Sequence, residues 1–159
     1  MTEDKVGELF QVIDRELRQP SPIGALQMNK SPDMTSHGME PGTIMNGGVL
    51  VALNATLIWA LAQVNSNMAW EEWKKNSLAR HADVYPDVWY GTWSGPDIIN
   101  SVLSEHPGET TSGSPLGWTD FPVLNMHSHA NSLFAVTKLL GLEFTANGVL
   151  LAPSIPLAS

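Results

Sequence analysis

Between Gly48 and Val64, apolar side chains would cover nearly the whole circumference of a helix. Val49, Leu50, Val51, Leu53, Leu57, Ile58, Trp59, Leu61 and Ala62 leave almost no wet side. A helix that is apolar all round must be covered on every side. Whatever this chain folds into therefore has to build around this segment. Asn54 and Gln63 interrupt the run, which is too short and too polar for a membrane span. Asn54 must then find a buried partner or face a cavity.

The elements that could do the covering are mostly helical. Thr2 to Arg18 reads as an amphipathic helix, with Val6, Leu9, Phe10, Ile13 and Leu17 at helical spacing and Thr2 as N-cap. Acids in its first turn and Arg15 and Arg18 in its last suit the dipole. Asn67 to His81 reads as one further helix. Met68, Trp70, Trp73, Leu78 and Ala79 form its stripe, and Glu71, Glu72, Lys74, Lys75 and Arg80 its wet side. Glu71 and Lys75 are spaced as an i,i+4 pair. Asp97 to Glu105 is expected as a short helix with Asp97 in its first turn. Phe121 to Leu140 is expected as a longer one, stopped by Gly141.

Leu142–Thr145 and Val149–Ala152 flank Ala146-Asn147-Gly148, which reads as a β-hairpin because Asn-Gly is a strong turn signal. Ser21 to Gly47 has no period and carries several prolines and methionines; a loop of that length is expected to be functional or disordered. The fold class is mainly α with a short C-terminal β-hairpin.

Composition narrows the partners. The net charge of −8 offers no basic patch for nucleic acid or an anionic membrane. With no cysteine there is neither a disulfide framework nor a thiolate metal site, which suits a cytoplasmic location. The chain opens on acidic residues, unlike a signal peptide. Few helices are available to cover Gly48–Val64, so a homo-oligomer or association with another chain is expected.

The stretch from Asp87 to Asp97, Asp-Val-Trp-Tyr-Gly-Thr-Trp-Ser-Gly-Pro-Asp, fits neither helical nor strand period. It joins flat aromatic rings to carboxylates on a loop, the composition of a sugar-binding surface. Trp89, Tyr90, Trp93 and Trp118 are the candidate stacking platforms, since a pyranose has an apolar face. Any one of them could instead plug into a core, as expected of Trp59, Trp70 and Trp73. Among the acids, Asp97 has a capping role open to it, and so does Asp120 before Phe121-Pro122. Asp87 caps nothing visible and sits among Tyr85, Trp89 and Tyr90, company suited to a proton donor. The catalytic candidates are thus Asp87 first, then Asp83 and Asp120.

His127 and His129 lie in Asn-x-His-x-His-x-Asn near a helix start. Residues i and i+2 do not share a helix face, so the pair makes a poor chelate without a third ligand such as His81 or Asp120. They are read as holding a sugar hydroxyl or phosphate, with no metal. A small metal-dependent hydrolase using His127 and His129 is an alternative. A non-catalytic helical assembly protein, using the tryptophan loop as an interface, is another. Neither a nucleophile-elbow Gly-x-Ser-x-Gly nor a phosphate-cradling glycine loop is present.

The run from Leu139 to Pro156, a last helix followed by Gly-Leu, a hairpin and Pro-Ser-Ile-Pro, resembles a passage of the six-hairpin glycosidases. There an (α/α) barrel ends and a C-terminal β-domain begins; the inverting disaccharide phosphorylases of the cellobiose and chitobiose type contain a similar one. Ala82–Tyr90, Gly117–Asp120 and Trp70–Lys75 are similar in kind to loops and helices of such barrels. The resemblance spans about residues 48–159. It implies a partial (α/α) helical-hairpin barrel over residues 1–141, with 142–159 as the hairpin and tail that start a β-domain. It also implies a glycoside hydrolase or phosphorylase-like activity on a carbohydrate, with no cofactor beyond inorganic phosphate as a co-substrate. A complete barrel needs about twelve helices of ordinary length, and this chain supplies four or five. The phosphorylases' usual acid-bearing middle segment has no match. The chain is therefore expected to be the C-terminal part of such a barrel, or a reduced relative that assembles with another chain.

Overall fold

A computed structural model describes residues 3–30, 32, 34, 37, 39–88, 97–110 and 126–156. Helices α1 (Glu3–Ile13), α2 (Val51–Ala62), α3 (Ser66–Lys75), α4 (Leu78–Val84) and α5 (Met126–Leu139) dominate. Two small antiparallel ribbons complete the fold: β1 (Val49–Leu50) with β2 (Ile98–Ile99), and β3 (Leu142–Thr145) with β4 (Gly148–Leu151). The mainly α reading with a C-terminal hairpin holds. The expected cap Thr2 lies outside the described residues.

Helix α2 is central, packing on α3 and more extensively on α5. Ala55, Ile58 and Leu61 of α2 meet Ala69 of α3 and Ala135 and Leu139 of α5. Each of the three helices contributes one alanine to this contact: Ala55, Ala69 and Ala135. The helix is not covered on every side, however. Leu53, Thr56 and Trp59 recur at helical spacing on an outer stripe, and Leu53 is 47% exposed. Trp59 is partly shielded by Phe134, edge to face at 5.6 Å, and by Lys138, whose ammonium lies 5.2 Å from the indole centre. Asn54 resolves its burial by donating to the Ala25 carbonyl at 3.2 Å.

Further sequence expectations change. The helix expected over Asn67–His81 is two helices. Ser77 accepts the Arg80 amide and starts α4, as Asn65 accepts the Met68 amide and starts α3. A side-chain oxygen before a free amide competes with continuation of the previous helix.

The short helix expected from Asp97 is absent. β-branched Ile98 and Ile99 extend and pair with Leu50 and Val49. Asp97 contributes its backbone carbonyl to the first free amide of α2, Val51, at 3.0 Å.

Another change concerns Glu72, which is not on a wet side but fully buried. After α1 the chain widens into a π-helical turn, Asp14–Arg18, closed by the Gln19 amide on the Asp14 carbonyl at 2.8 Å. This turn carries Arg18 inward, 2% exposed. Arg18 Nε donates to Glu72 Oε2 at 2.8 Å, and its other nitrogens reach Asp14 and the Met68 carbonyl. The remaining Glu72 oxygen accepts the Ala25 amide at 2.7 Å. Lys75, expected to pair with Glu71, instead donates to the carbonyls of Arg18 and Ser21. Burial holds its ammonium below the ordinary lysine value.

This network sits beneath the unperiodic segment after Arg18. Much of that segment is core: Ser21 and Ile23 to Leu26 are buried. Ile23 and Leu26 pack with Val49, Val51 and Ile99 in a second apolar cluster. Gly24 adopts φ +124°, and a Cβ there would come within 2.7 Å of Asn54 Nδ2, so the bend requires glycine.

At the C-terminal end Gly141 stops α5 with φ 62°. The hairpin pairs Leu142 with Leu151 and Thr145 with Gly148 around the two-residue loop Ala146-Asn147. The chain then doubles back: Ala152 and Ser154 donate to the carbonyls of Gly141 and Leu139, and Ile155 packs against the first core cluster.

Replacing Glu72 with Ala strands the Arg18 guanidinium and the Ala25 amide inside the protein. The expected loss is about 3–5 kcal/mol of unfolding free energy, read as a lowered urea midpoint. A double Arg18→Met/Glu72→Leu variant should be markedly more stable than Glu72→Leu alone.

Candidate functional site

Beside the break between α3 and α4, the described residues form a concave feature. A cavity of about 390 Å³ lies among α2, the α3–α4 junction and α5. Its buried wall comes from Ile23, Val51, Ala55, Ile58, Ile99 and Ala135. Trp73, Asn76, Ser77 and Leu78 form a second side. His129, Ser132, Leu133 and Val136 form a third, with His129, Ser132 and Leu133 exposed at the mouth. This volume falls in the range of small-molecule sites, and an apolar lining with a few polar groups is their usual make-up.

Two of the polar groups are fixed from behind. Asn76 Nδ2 donates to the Val51 carbonyl at 3.1 Å, which leaves Oδ1 buried with no hydrogen-bond partner among the described residues. Ser77 Oγ donates to the Lys74 carbonyl and accepts the Arg80 amide, so its position is set by the helix start it caps. Trp73 is stacked on Trp70, with ring centres 4.8 Å apart and planes 16° from parallel. Trp73, a core residue by its helical spacing, contacts the core cluster and also lines the cavity.

The sequence candidates distribute unevenly around this cavity. His129 lines it. His127 falls in the first turn of α5, and its side chain lies outside the described residues, as do Trp89, Tyr90, Trp93, Trp118 and Asp120. Asp83, on α4, and Asp87, beyond its end, are exposed and are not part of the cavity wall. From Leu78 at the cavity to Val84 at the end of α4 the rise is about 9 Å, so these acids stand one short helix away. Asn76, Ser77 and Ser132 were not singled out from the sequence. A helix break written as Asn-Ser, placed beside a tryptophan stripe, is the signal that could have found the first two.

The exit of α4 is firmly held. His81, 2% exposed, lies with Nε2 2.7 Å from the Gly108 carbonyl, a contact in which the ring must donate. His81 thereby anchors the 106–110 turn to α4. Tyr85 packs under the same turn: a Cβ on Gly108, whose φ is +85°, would come within 2.5 Å of the phenol ring. Among the described residues no group of three or more His, Cys, Asp or Glu could hold a metal ion. No described helix is long and apolar enough to cross a membrane.

No protein-family model matches this sequence, and no curated protein matches it. The site is therefore read on its own chemistry.

Burial raises the Tyr85 phenol above its ordinary value near 10. Above that pH the folded chain keeps a proton that the unfolded chain has lost, so stability at this site falls as pH rises. Absorbance titration should show a tyrosine ionising late, and Tyr85→Phe should remove it and flatten the alkaline loss of stability. If the late step persists in Tyr85→Phe, it belongs to Tyr90, the chain's other tyrosine.

Proposed function

We propose that the chain is a carbohydrate-active helical protein, a partial (α/α) helical-hairpin barrel that acts on a glycosidic bond by hydrolysis or phosphorolysis. The observation that carries this reading is the cavity, walled by consecutive helices α2 and α3 and by α5, one short helix away from two exposed acids. His129, Ser132 and Ser77 at or near its mouth suit sugar hydroxyls, and Trp73 offers a flat apolar surface. In this reading Asp87 is the proton donor or base, with Asp83 and Asp120 as the next carboxyl candidates. Trp89, Tyr90, Trp93 and Trp118 add stacking surfaces, and in phosphorolysis inorganic phosphate is the attacking group in place of water. Inverting enzymes hold their two carboxyls about 6.5–9.5 Å apart and retaining ones about 5–5.5 Å, so the identity of Asp87's partner decides the stereochemistry.

Titration of intrinsic tryptophan fluorescence with glucose, cellobiose and N-acetylglucosamine should show saturable quenching. Asp87→Asn should lower turnover of an aryl glycoside by at least about 100-fold, the scale of acid–base catalysis, while leaving saturable sugar binding in place. Unchanged turnover in Asp87→Asn would remove Asp87 from the reaction.

The assembly reading is favoured by a separate observation. On the β3–β4 hairpin, Leu142, Phe144, Val149 and Leu151 share one face. Phe144 on that face is 84% exposed. Exposed apolar faces of this kind mark interaction surfaces. Sedimentation velocity should show self-association or recruitment of a second chain, weakened in Phe144→Ser. A compact monomer indifferent to that change would discard this reading.

A further inference from the structure

We infer that the floor of the cavity is a binding site for an uncharged aromatic or alicyclic ring. On the glycoside reading, on which the assignment of that ring to an aglycone rests, the substrates are glycosides of neutral, apolar alcohols.

The inference comes from the division within the cavity. Its floor is built from the buried faces of Ile23, Val51, Ala55, Ile58 and Ile99. Its hydroxyl-bearing and imidazole groups belong to the mouth. No Asp, Glu, Lys or Arg lines it among the described residues. A phosphorylated sugar or a uronic acid would lose its hydration there with no counter-charge among the described residues, a cost of several kcal/mol. A second sugar unit would bring a shell of hydroxyls against aliphatic walls that can return almost none of their hydrogen bonds.

A ring of carbon fits both the chemistry and the size. An apolar cavity of about 150 Å³ admits benzene, and this one, at about 390 Å³, leaves room for a substituted or fused ring.

The test uses the full chain and two kinds of probe. The neutral fluorophore N-phenyl-1-naphthylamine reports the apolar floor without any sugar. Phenyl β-glucoside, compared with methyl β-glucoside, reports the aglycone preference. The fluorophore is expected to bind with one-to-one stoichiometry and to be displaced by phenol but not by phenyl phosphate. Phenyl β-glucoside is expected to bind at least about tenfold more tightly than the methyl glycoside, as burying a ring requires.

Ala55→Leu, which fills the floor, should abolish fluorophore binding and the phenyl preference. Leu133→Trp, at an exposed position on the mouth, should weaken both even if Ala55→Leu fails to fold. Fluorophore binding that survives both changes but is lost in Phe144→Ser belongs to the hairpin and overturns the inference. Equal binding of phenyl and methyl glucosides overturns it while leaving the carbohydrate reading standing. Floor-dependent fluorophore binding with no glucoside binding supports the ring site and overturns the carbohydrate reading instead.

Discussion

The fold depends on one charge placed where charge is expensive. Glu72, fully buried on α3, is held by Arg18 on one oxygen and by the Ala25 amide on the other. Such a pair contributes little net stability compared with a well-packed apolar replacement, but it is costly to break. Its effect here is positional. It fixes the segment after α1 against α3, which sets Ile23 and Leu26 beside Val49 and Ile99. Lys75 extends the same restraint to the carbonyls of Arg18 and Ser21. The cavity inherits its shape from this arrangement, since Ile23 and the end of α3 form two of its sides.

Around that anchor, backbone ends are satisfied by groups far away in sequence. The first amide of α2 bonds to Asp97, across the β1–β2 ribbon. The turn after β2 is held by His81 on α4. The hairpin base is clasped to the end of α5 by Ala152 and Ser154. Helices this short are marginal alone, and these long-range bonds, together with the small-residue contacts of α2 with α5, supply what propensity does not.

The legible parts of the sequence were those governed by local patterns. The amphipathic α1, the apolar α2, the stop at Gly141 and the hairpin all follow from spacing and turn chemistry within a few residues. What escaped was set by partners distant in the chain. Glu72 carries the same side chain as Glu71, and only the approach of Arg18, 54 residues away, makes it a core residue. Ile98 and Ile99 suit a helix as well as a strand until Val49 and Leu50 are beside them. At the site, His129 stands out in Asn-x-His-x-His-x-Asn, whereas Asn76 and Ser77 have no such pattern around them. Those two line a cavity because a helix ends there, a break signalled only by the Asn-Ser pair beside the tryptophan stripe. Trp89, Tyr90, Trp93, Trp118 and Asp120 fall outside the described residues.

The π-helical turn at Asp14–Arg18 fixes a count. An α-helix advances about 100° per residue, so a wider turn changes which face the next side chain occupies. Here the side chain that comes inward is Arg18. Deleting one residue from this turn, or adding one, would rotate the guanidinium away from Glu72 by roughly a quarter of a circle. The N-terminal helix, held to the first core cluster by Phe10, can therefore lengthen at its far end without disturbing this register. The number of residues between its last regular turn and Arg18 is as tightly specified as the identity of Arg18 itself.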